Sequence, residues 1–142
     1  MIKKLLHPGK YGLKVNLALL ILRICVGIFM FTHGWGKMMN LFGEGSIKFA
    51  DPLGLGASLS LALVVFAEIL CSFMLIIGLF MRFACFPLII TMLVAAFIIH
   101  GDDPFSGKEM ALLYLVIYIV LFITGSGQFS IDKFVHNRIK SK

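Results

Sequence analysis

The sequence predicts an all-α integral membrane protein, a bundle of four transmembrane helices with both termini in the cytoplasm. Its 142 residues are 60% hydrophobic and only 14% charged, whereas about a quarter of the residues in a soluble domain are charged. The apolar residues fall into four runs, each close to the roughly 17–25 residues that cross a bilayer as a helix. The alternating pattern typical of a membrane β-barrel does not occur in these runs. We therefore expect a single helical domain.

The four predicted spans are residues 15–31, 57–80, 83–99 and 110–124. A basic segment, residues 1–14, precedes the bundle of residues 15–134, and a basic tail, residues 135–142, follows it. A signal peptide is the alternative for the first run, since lysines precede it. Arg23 interrupts that run, however, and no small-residue cleavage site follows it, so a retained helix is favoured.

The connections between the spans suggest how the helices are arranged. The turn at Met81-Arg82 is so short that the second and third spans must be antiparallel neighbours. The longest loop, residues 38–56, is rich in glycine but also carries several apolar side chains. We expect it to lie against the outer end of the bundle as a cap.

The net charge of +6 is distributed unevenly along the chain. Nine basic residues precede the first span, follow the last span or lie between the second and third, and the opposite side receives three basic and five acidic residues. Basic residues concentrate on the cytoplasmic side of membrane proteins, so this pattern places both termini in the cytoplasm. Bases beside spans are ordinary membrane anchors, and we expect no nucleic-acid partner.

The three cysteines lie inside apolar runs and form no C-x-x-C motif. Cys25, Cys71 and Cys85 are therefore predicted to be small core side chains rather than a redox pair. The sequence shows no metal or flavin motif, so we predict no metal site and no cofactor other than a bound quinone.

Two charged residues lie within the predicted spans, Arg23 in the first and Glu68 in the second. An arginine at the centre of a membrane helix costs roughly 2.5–3.5 kcal/mol on insertion scales unless the fold provides a partner. We therefore predict that Arg23 and Glu68 form a buried ion pair. The pair has two interpretations, a structural contact that fixes helix packing or the centre of a polar pocket.

Further polar residues cluster near the outer ends of the spans and complete the predicted pocket. A helical period of 3.6 puts Lys37 on the same stripe of the first helix as Arg23, with His33 at its edge. The third span ends at His100, and the fourth carries Tyr114 and Tyr118, whose hydroxyls need partners within the membrane. The predicted ligand-binding residues are thus Arg23, His33, Lys37, Glu68, His100, Tyr114 and Tyr118, with no catalytic residue assigned.

These residues resemble the DoxX family of small four-helix bacterial membrane proteins. The resemblance extends from Leu19 to Phe134 and rests on Arg23 with Gly27, His33-Gly34 with Lys37, residues 51–56, Glu68, Gly78-Leu79 with Arg82, His100, and residues 125–132. The resemblance implies a multi-pass bundle in the bacterial cytoplasmic (inner) membrane that is associated with redox chemistry. If the chain is itself an enzyme, the resemblance points to an oxidoreductase subunit of the thiosulfate:quinone oxidoreductase type.

Three functions are compatible with this pattern. The first is a membrane subunit of a redox system, linked to quinone, to sulfur compounds or to oxidative stress, whose pocket takes a quinone head group or a small sulfur oxyanion. The second is a non-enzymatic scaffold or assembly factor for partner proteins. The third is a small-solute carrier, which would require a homo-oligomer because four spans without an inverted repeat do not form a carrier alone.

Overall fold

The computed structural model describes residues 8–9 and 11–140. These residues form α1 (Leu13–Phe42), α2 (Ala57–Ile77), α3 (Met81–Ile99), α4 (Phe105–Thr124) and α5 (Ile131–Lys140). Most of the predicted basic N-terminal segment, residues 1–7 and 10, lies outside the described residues, as do residues 141–142 of the predicted tail.

The first four helices are each long and apolar enough to cross a membrane, which confirms the predicted all-helical four-span fold. The predicted bounds differ most for α1, which continues eleven residues beyond residue 31 to Phe42. Helix α4 begins at Phe105 rather than at residue 110. Both extensions carry polar residues that the hydropathy pattern assigned to loops, although a helix can leave the hydrocarbon region without ending there.

The helices pack in the order in which they occur along the chain. Helix α1 lies along α2, α2 contacts α3, and α3 lies along α4, while the direct contact between α1 and α4 is slight. The core between them is formed by small and aliphatic side chains and by the fully buried Tyr118. Large apolar side chains such as Ile21, Phe97 and Ile123 are more than 60% exposed and face the region that lipid would cover.

The two chain ends lie at the same end of the bundle, called here the termini end. The backbone N–H of Gly127 donates to the carbonyl of Pro8 over 2.9 Å, and the Tyr11 hydroxyl donates to the Thr124 carbonyl over 3.1 Å. Residues 135–140, predicted to belong to a basic tail, are part of α5. That the termini end faces the cytoplasm stays a prediction.

The opposite end, called here the loop end, carries the connection between α1 and α2. The Asp51 carboxylate accepts the backbone N–H groups of Leu55 and Gly56 over 2.9 and 2.8 Å and the hydroxyl of Ser60 over 2.7 Å. The bond from Ser60 is the main cause that lowers the pKa of Asp51 below its ordinary value, and the backbone donors add to it. The loop is thereby attached to the start of α2.

Candidate functional site

Glu68 lies in the middle of α2, and its side chain is only 3% exposed. The ammonium nitrogen of Lys37 lies 2.5 Å from Oε1 of this carboxylate, and the Lys37 side chain is 34% exposed. This ion pair joins α1 to α2. Lys37 was predicted to belong to the pocket, but its role as the partner of Glu68 was not predicted.

Gly34 of α1 packs directly against Glu68. A Cβ atom added at Gly34 would lie 2.8 Å from the Cβ of Glu68 and 3.1 Å from its carbonyl carbon. Carbon atoms do not approach so closely without displacement, so only glycine lets the two helices meet at this level. Gly34 of the His33-Gly34 pair therefore allows Glu68 to lie in the interface between α1 and α2.

The second carboxylate oxygen of Glu68, Oε2, is buried and has no hydrogen-bond partner among the described residues. The hydroxyls of Ser72 and Tyr118 are in the same condition. Buried polar atoms are almost always hydrogen-bonded, and each one that is not costs roughly 1–3 kcal/mol. Glu68 is the member of this group that also borders a cavity.

A cavity of about 330 Å³ opens between α2 and α3 beneath the loop that precedes α2. We call it the apolar cavity. Lys37, Glu68 and His100 form what we call its polar end, and Ser60 and Thr91 are its other polar lining residues. The remaining walls are carbon-rich and are formed by Phe49, Ala50, Pro52, Leu53, Leu55, Leu63, Val64, Ile90, Met92, Val94, Ala95 and Ile99.

A second cavity of about 240 Å³ lies on the other side of the ion pair, between α1, α3 and α4. We call it the histidine cavity because His33 and His100 both line it, with Met30 and Tyr114. Lys37, Glu68 and His100 border both cavities. The ion pair therefore stands where the two cavities meet.

The predicted aromatic residues of the pocket form a row that leads inward from His33. The rings of His33 and Tyr114 are edge to face with centroids 6.1 Å apart, and Tyr114 stacks on Tyr118 at 6.0 Å. Tyr114 lines the histidine cavity, whereas Tyr118 is fully buried beneath it and lines neither cavity. The row connects the cavity wall to the centre of the bundle.

Two helices depart from α-helical geometry beside these cavities. Phe66–Cys71 of α2, which includes Glu68, and Ala95–Ile99 of α3, which leads to His100, are π-helical. The wider π turn is rare in proteins, and those that occur are often at functional sites. It changes the direction of one side chain relative to a regular helix. Here the two π segments present Glu68 and His100 to the same space.

His100 also contacts the loop that follows α3. Its Nδ1 lies 2.7 Å from an Asp103 carboxylate oxygen, and both side chains are more than 40% exposed. This contact orients the ring at the cavity edge. Among residues 8–9 and 11–140, no group of three His, Cys, Asp or Glu side chains is arranged to hold a metal ion.

The predicted pairing of Arg23 with Glu68 is wrong. Arg23 is 2% exposed, and its Nη1 donates to the Ser126 carbonyl over 2.6 Å, while Nη2 donates to the Phe129 carbonyl. The guanidinium therefore binds the segment that follows α4 at the termini end. It lines neither cavity, so Arg23 does not belong to the candidate site.

The error has a geometric cause. Glu68 packs at the level of Gly34, eleven residues beyond Arg23 along α1, which corresponds to about 16 Å of helix. Arg23 and Glu68 would lie at similar depths if the predicted spans 15–31 and 57–80 ended level with each other at the termini end. The end of α2 instead lies at the level of Arg23, because a Cβ atom added at Gly78 would lie 2.4 Å from Nη1 of Arg23. Glu68, ten residues before Gly78, therefore lies further toward the loop end than Arg23.

Asp132, at the start of α5, is 1% exposed and forms a buried cluster with Arg23, which we call the Arg23 cluster. Its carboxylate accepts the backbone N–H groups of Phe80 and Met81 over 2.7 and 3.1 Å at the start of α3. Burial raises the pKa of Asp132, while these donors and the charge of Arg23 act in the opposite direction. The cluster joins α1, α3 and α5.

Gly78 completes this cluster in the turn between α2 and α3. Its φ is +67°, and an added Cβ would lie 2.4 Å from Nη1 of Arg23 and 2.7 Å from Cβ of Ser130. The sequence signal that could have indicated the cluster is the glycine- and serine-rich run at residues 125–130, whose backbone carbonyls are available to a buried guanidinium.

Fold and site together define a multi-pass helical membrane protein with a partly buried lysine–glutamate ion pair between two cavities. The chain belongs to the DoxX family, whose model matches residues 18–101 of the 142.

Three relatives cover most of the chain. Two uncharacterized proteins of Haemophilus influenzae are 30% and 32% identical to it; the alignments cover 87% and 80% of this chain and 87% of each relative. A Bacillus subtilis protein named "Putative oxidoreductase CatD" is 30% identical over 82% of this chain and 85% of its own length. No solved structure matches the chain.

Proposed function

We propose that this DoxX protein is the membrane subunit of a redox system and that its apolar cavity binds the head group of a quinone-type ligand. The observation that carries the proposal is the partly buried Lys37–Glu68 ion pair at the polar end of a carbon-lined cavity. Small-molecule sites typically combine mostly apolar walls with a few convergent polar groups. The name of the Bacillus subtilis relative supports a redox role.

The size and position of the cavity favour a ligand that arrives through the membrane. A volume of about 330 Å³ is at the lower end for small-molecule sites, enough for a ring but not for a long chain. Leu63 of α2 and Ile90 of α3 line the cavity and are 49% and 43% exposed, so the cavity reaches the outer surface of the bundle. A ring in the cavity can therefore keep its apolar tail among the lipid chains.

The polar end supplies the groups that orient such a ring. Lys37 has three N–H donors and uses one on Glu68, so the others can reach a ligand oxygen. His100 lies on the same side of the cavity and offers a second polar contact. Electrons would be exchanged between the bound ring and a partner redox protein.

The binding proposal is tested with purified protein in detergent and a short-chain benzoquinone, by titration calorimetry and by the shift in melting temperature. Ala95→Phe should abolish binding because Ala95 lines both cavities. Ala62→Phe is the matched control, since Ala62 is also a half-buried alanine but lines neither cavity. Wild-type protein that binds no quinone would exclude the proposal and favour the scaffold alternative.

We also propose that the protein lies in the bacterial inner membrane with the termini end in the cytoplasm, because the basic residues flank the spans at that end. C-terminal fusions test this orientation. A green fluorescent protein fusion should fluoresce and an alkaline phosphatase fusion should be inactive, and the reverse pattern would show the opposite orientation.

A further inference from the structure

Helix α5 starts at the level where two of the membrane spans end. The backbone N–H of Asp132 donates to the Gly78 carbonyl over 3.0 Å, and the Asp132 carboxylate accepts the N–H groups of Phe80 and Met81. Gly78 directly follows α2, and Met81 begins α3. The head-group layer of a bilayer around the spans lies where the spans end, so we expect α5 to start in that layer.

The outer surface of α5 combines apolar side chains with cations. Among the described side chains of this helix, Asp132 is the only acidic one and is 1% exposed. Ile131 and Phe134 are 40% and 61% exposed, and the helical period puts them on one stripe with the exposed Arg138. Lys133 is partly exposed beside them. The helix therefore presents positive charge to its surroundings without an exposed carboxylate.

Arg138 and Phe134 contact each other on this stripe. The guanidinium carbon of Arg138 lies 4.9 Å from the centroid of the Phe134 ring, a distance at which a cation is attracted to the face of an aromatic ring. Helices that lie in a membrane interface use such a combination, with apolar side chains among the upper acyl chains and cations at the phosphates.

We infer that α5 lies in the head-group layer and binds anionic phospholipid in preference to zwitterionic phospholipid. Ile131 and Phe134 contact the acyl chains, and Lys133 and Arg138 contact the phosphate groups. A choline head group carries its own cation, whereas an anionic lipid keeps a net negative charge to offer these residues. Each basic residue near a membrane surface contributes about a fivefold preference at low salt.

The two exposed apolar side chains favour lipid over an acidic protein as the partner, because they lie beside the ends of the spans, where acyl chains are present. The apolar cavity lies toward the loop end, beneath the loop that precedes α2. Lipid binding at α5 is therefore independent of the proposed quinone site.

The experiment places a fluorescent reporter on α5 in the full chain. The variant Trp35→Phe with Phe134→Trp moves the only tryptophan of the sequence to this helix, and both positions are more than half exposed, so we expect the fold to be retained. The protein is reconstituted into phosphatidylcholine vesicles that contain an equal fraction of either phosphatidylcholine or phosphatidylglycerol brominated near the head group. Bromine quenches a tryptophan that it contacts, so the two quenching curves give the relative affinity for the two lipids.

Phosphatidylglycerol should be preferred by about fivefold or more at low salt. The preference should fall below about twofold at high salt and in the Lys133→Gln, Arg138→Gln double variant. Lys14→Gln is the matched control, because it removes an exposed basic residue at the termini end but outside α5, and it should leave the preference unchanged.

Absence of quenching by either brominated lipid would show that the reporter does not contact the bilayer and would overturn the inference. Equal quenching by both lipids overturns the preference for anionic lipid, and an equally large loss in Lys14→Gln overturns its assignment to α5. Wild-type protein gives a second measurement if the reporter variant does not fold. Phosphatidylglycerol added to micelles should raise its melting temperature more than phosphatidylcholine does, and equal shifts would contradict the inference.

Discussion

Two double-mutant cycles test which cation is the partner of Glu68. The first combines Lys37→Met with Glu68→Gln, and the second combines Arg23→Met with Glu68→Gln. The contact between Lys37 and Glu68 is 2.5 Å, but the lysine is 34% exposed, so its interaction energy is discounted for solvent screening. We expect a coupling energy of about 1–2 kcal/mol, between the values for exposed and fully buried pairs.

The second cycle should give almost no coupling. Arg23 lies about 16 Å from the level of Glu68 along α1, and it shares no hydrogen-bond partner with that residue. Distant sites are usually additive within about 0.5 kcal/mol. Arg23→Met alone should nevertheless destabilise the protein by about 3 kcal/mol or more, because two carbonyls and the buried Asp132 lose a charged partner.

The assay for both cycles is reversible unfolding in mixed micelles, with the free energy of unfolding measured for each single and double variant. Lys14→Met, an exposed lysine near the start of α1, is the control for removing a basic residue and should change the free energy by less than about 0.5 kcal/mol. A larger coupling in the Arg23 cycle than in the Lys37 cycle would refute the pairing described here.

Three further predictions concern the close contacts of the bundle. Gly34→Ala should destabilise the protein by about 1–3 kcal/mol and weaken quinone binding, because the new Cβ would lie 2.8 Å from the Cβ of Glu68. Gly36→Ala is the control, because a Cβ added there meets no atom within 4 Å, and it should be neutral or stabilising in the same unfolding assay. Gly78→Ala should lower the melting temperature more than Gly54→Ala, since both have a positive φ (+67° and +69°) but only Gly78 also meets the guanidinium. The hydrogen bonds to Asp51 lower its pKa and stabilise the loop above the ordinary aspartate value of about 4. This stabilisation is lost as the pH falls through the lowered pKa of Asp51. The amides of Leu55 and Gly56, which Asp51 binds, should then lose protection from hydrogen exchange at low pH in wild type, and at all pH values in Asp51→Asn. Unchanged protection would contradict the assignment.

The fold could be predicted from the sequence because the physical requirement on a membrane span applies to each helix separately. Each span must satisfy its own backbone hydrogen bonds and present apolar side chains to lipid, so length and hydropathy identify the helices without knowledge of their neighbours. The helix ends were less predictable. The polar residues from His33 to Lys37 end the apolar run, but α1 continues through them to Phe42.

The site was predicted in part, for a related reason. His33, Lys37, Glu68, His100 and Tyr114 do line the two cavities, because intramembrane polar side chains must face the interior of the bundle. Their partners depend on how far one helix is shifted along its axis relative to the next. The spacing of residues within each helix does not predict this shift. A shift of about 16 Å replaces one cation with another as the partner of Glu68.

Asp132 shows a second limit of the sequence. A lone Asp-Lys pair after a glycine-rich turn is typical of an exposed helix start, and its composition gives no sign of burial. The carboxylate is buried because the turn between α2 and α3 brings the N–H groups of Phe80 and Met81 to it. That contact joins residues about fifty positions apart and depends on the assembled bundle.

The central claim is that the ligand binds beside the Lys37–Glu68 ion pair, in the apolar cavity between α2 and α3. The most direct test is covalent labelling with a photoreactive azidoquinone in membranes, followed by peptide mapping. We predict label on residues that line the cavity, such as Leu63 and Ile90, and protection by excess unlabelled quinone. Label confined to the termini end near Arg23, or label that excess unlabelled quinone does not diminish, would contradict the claim.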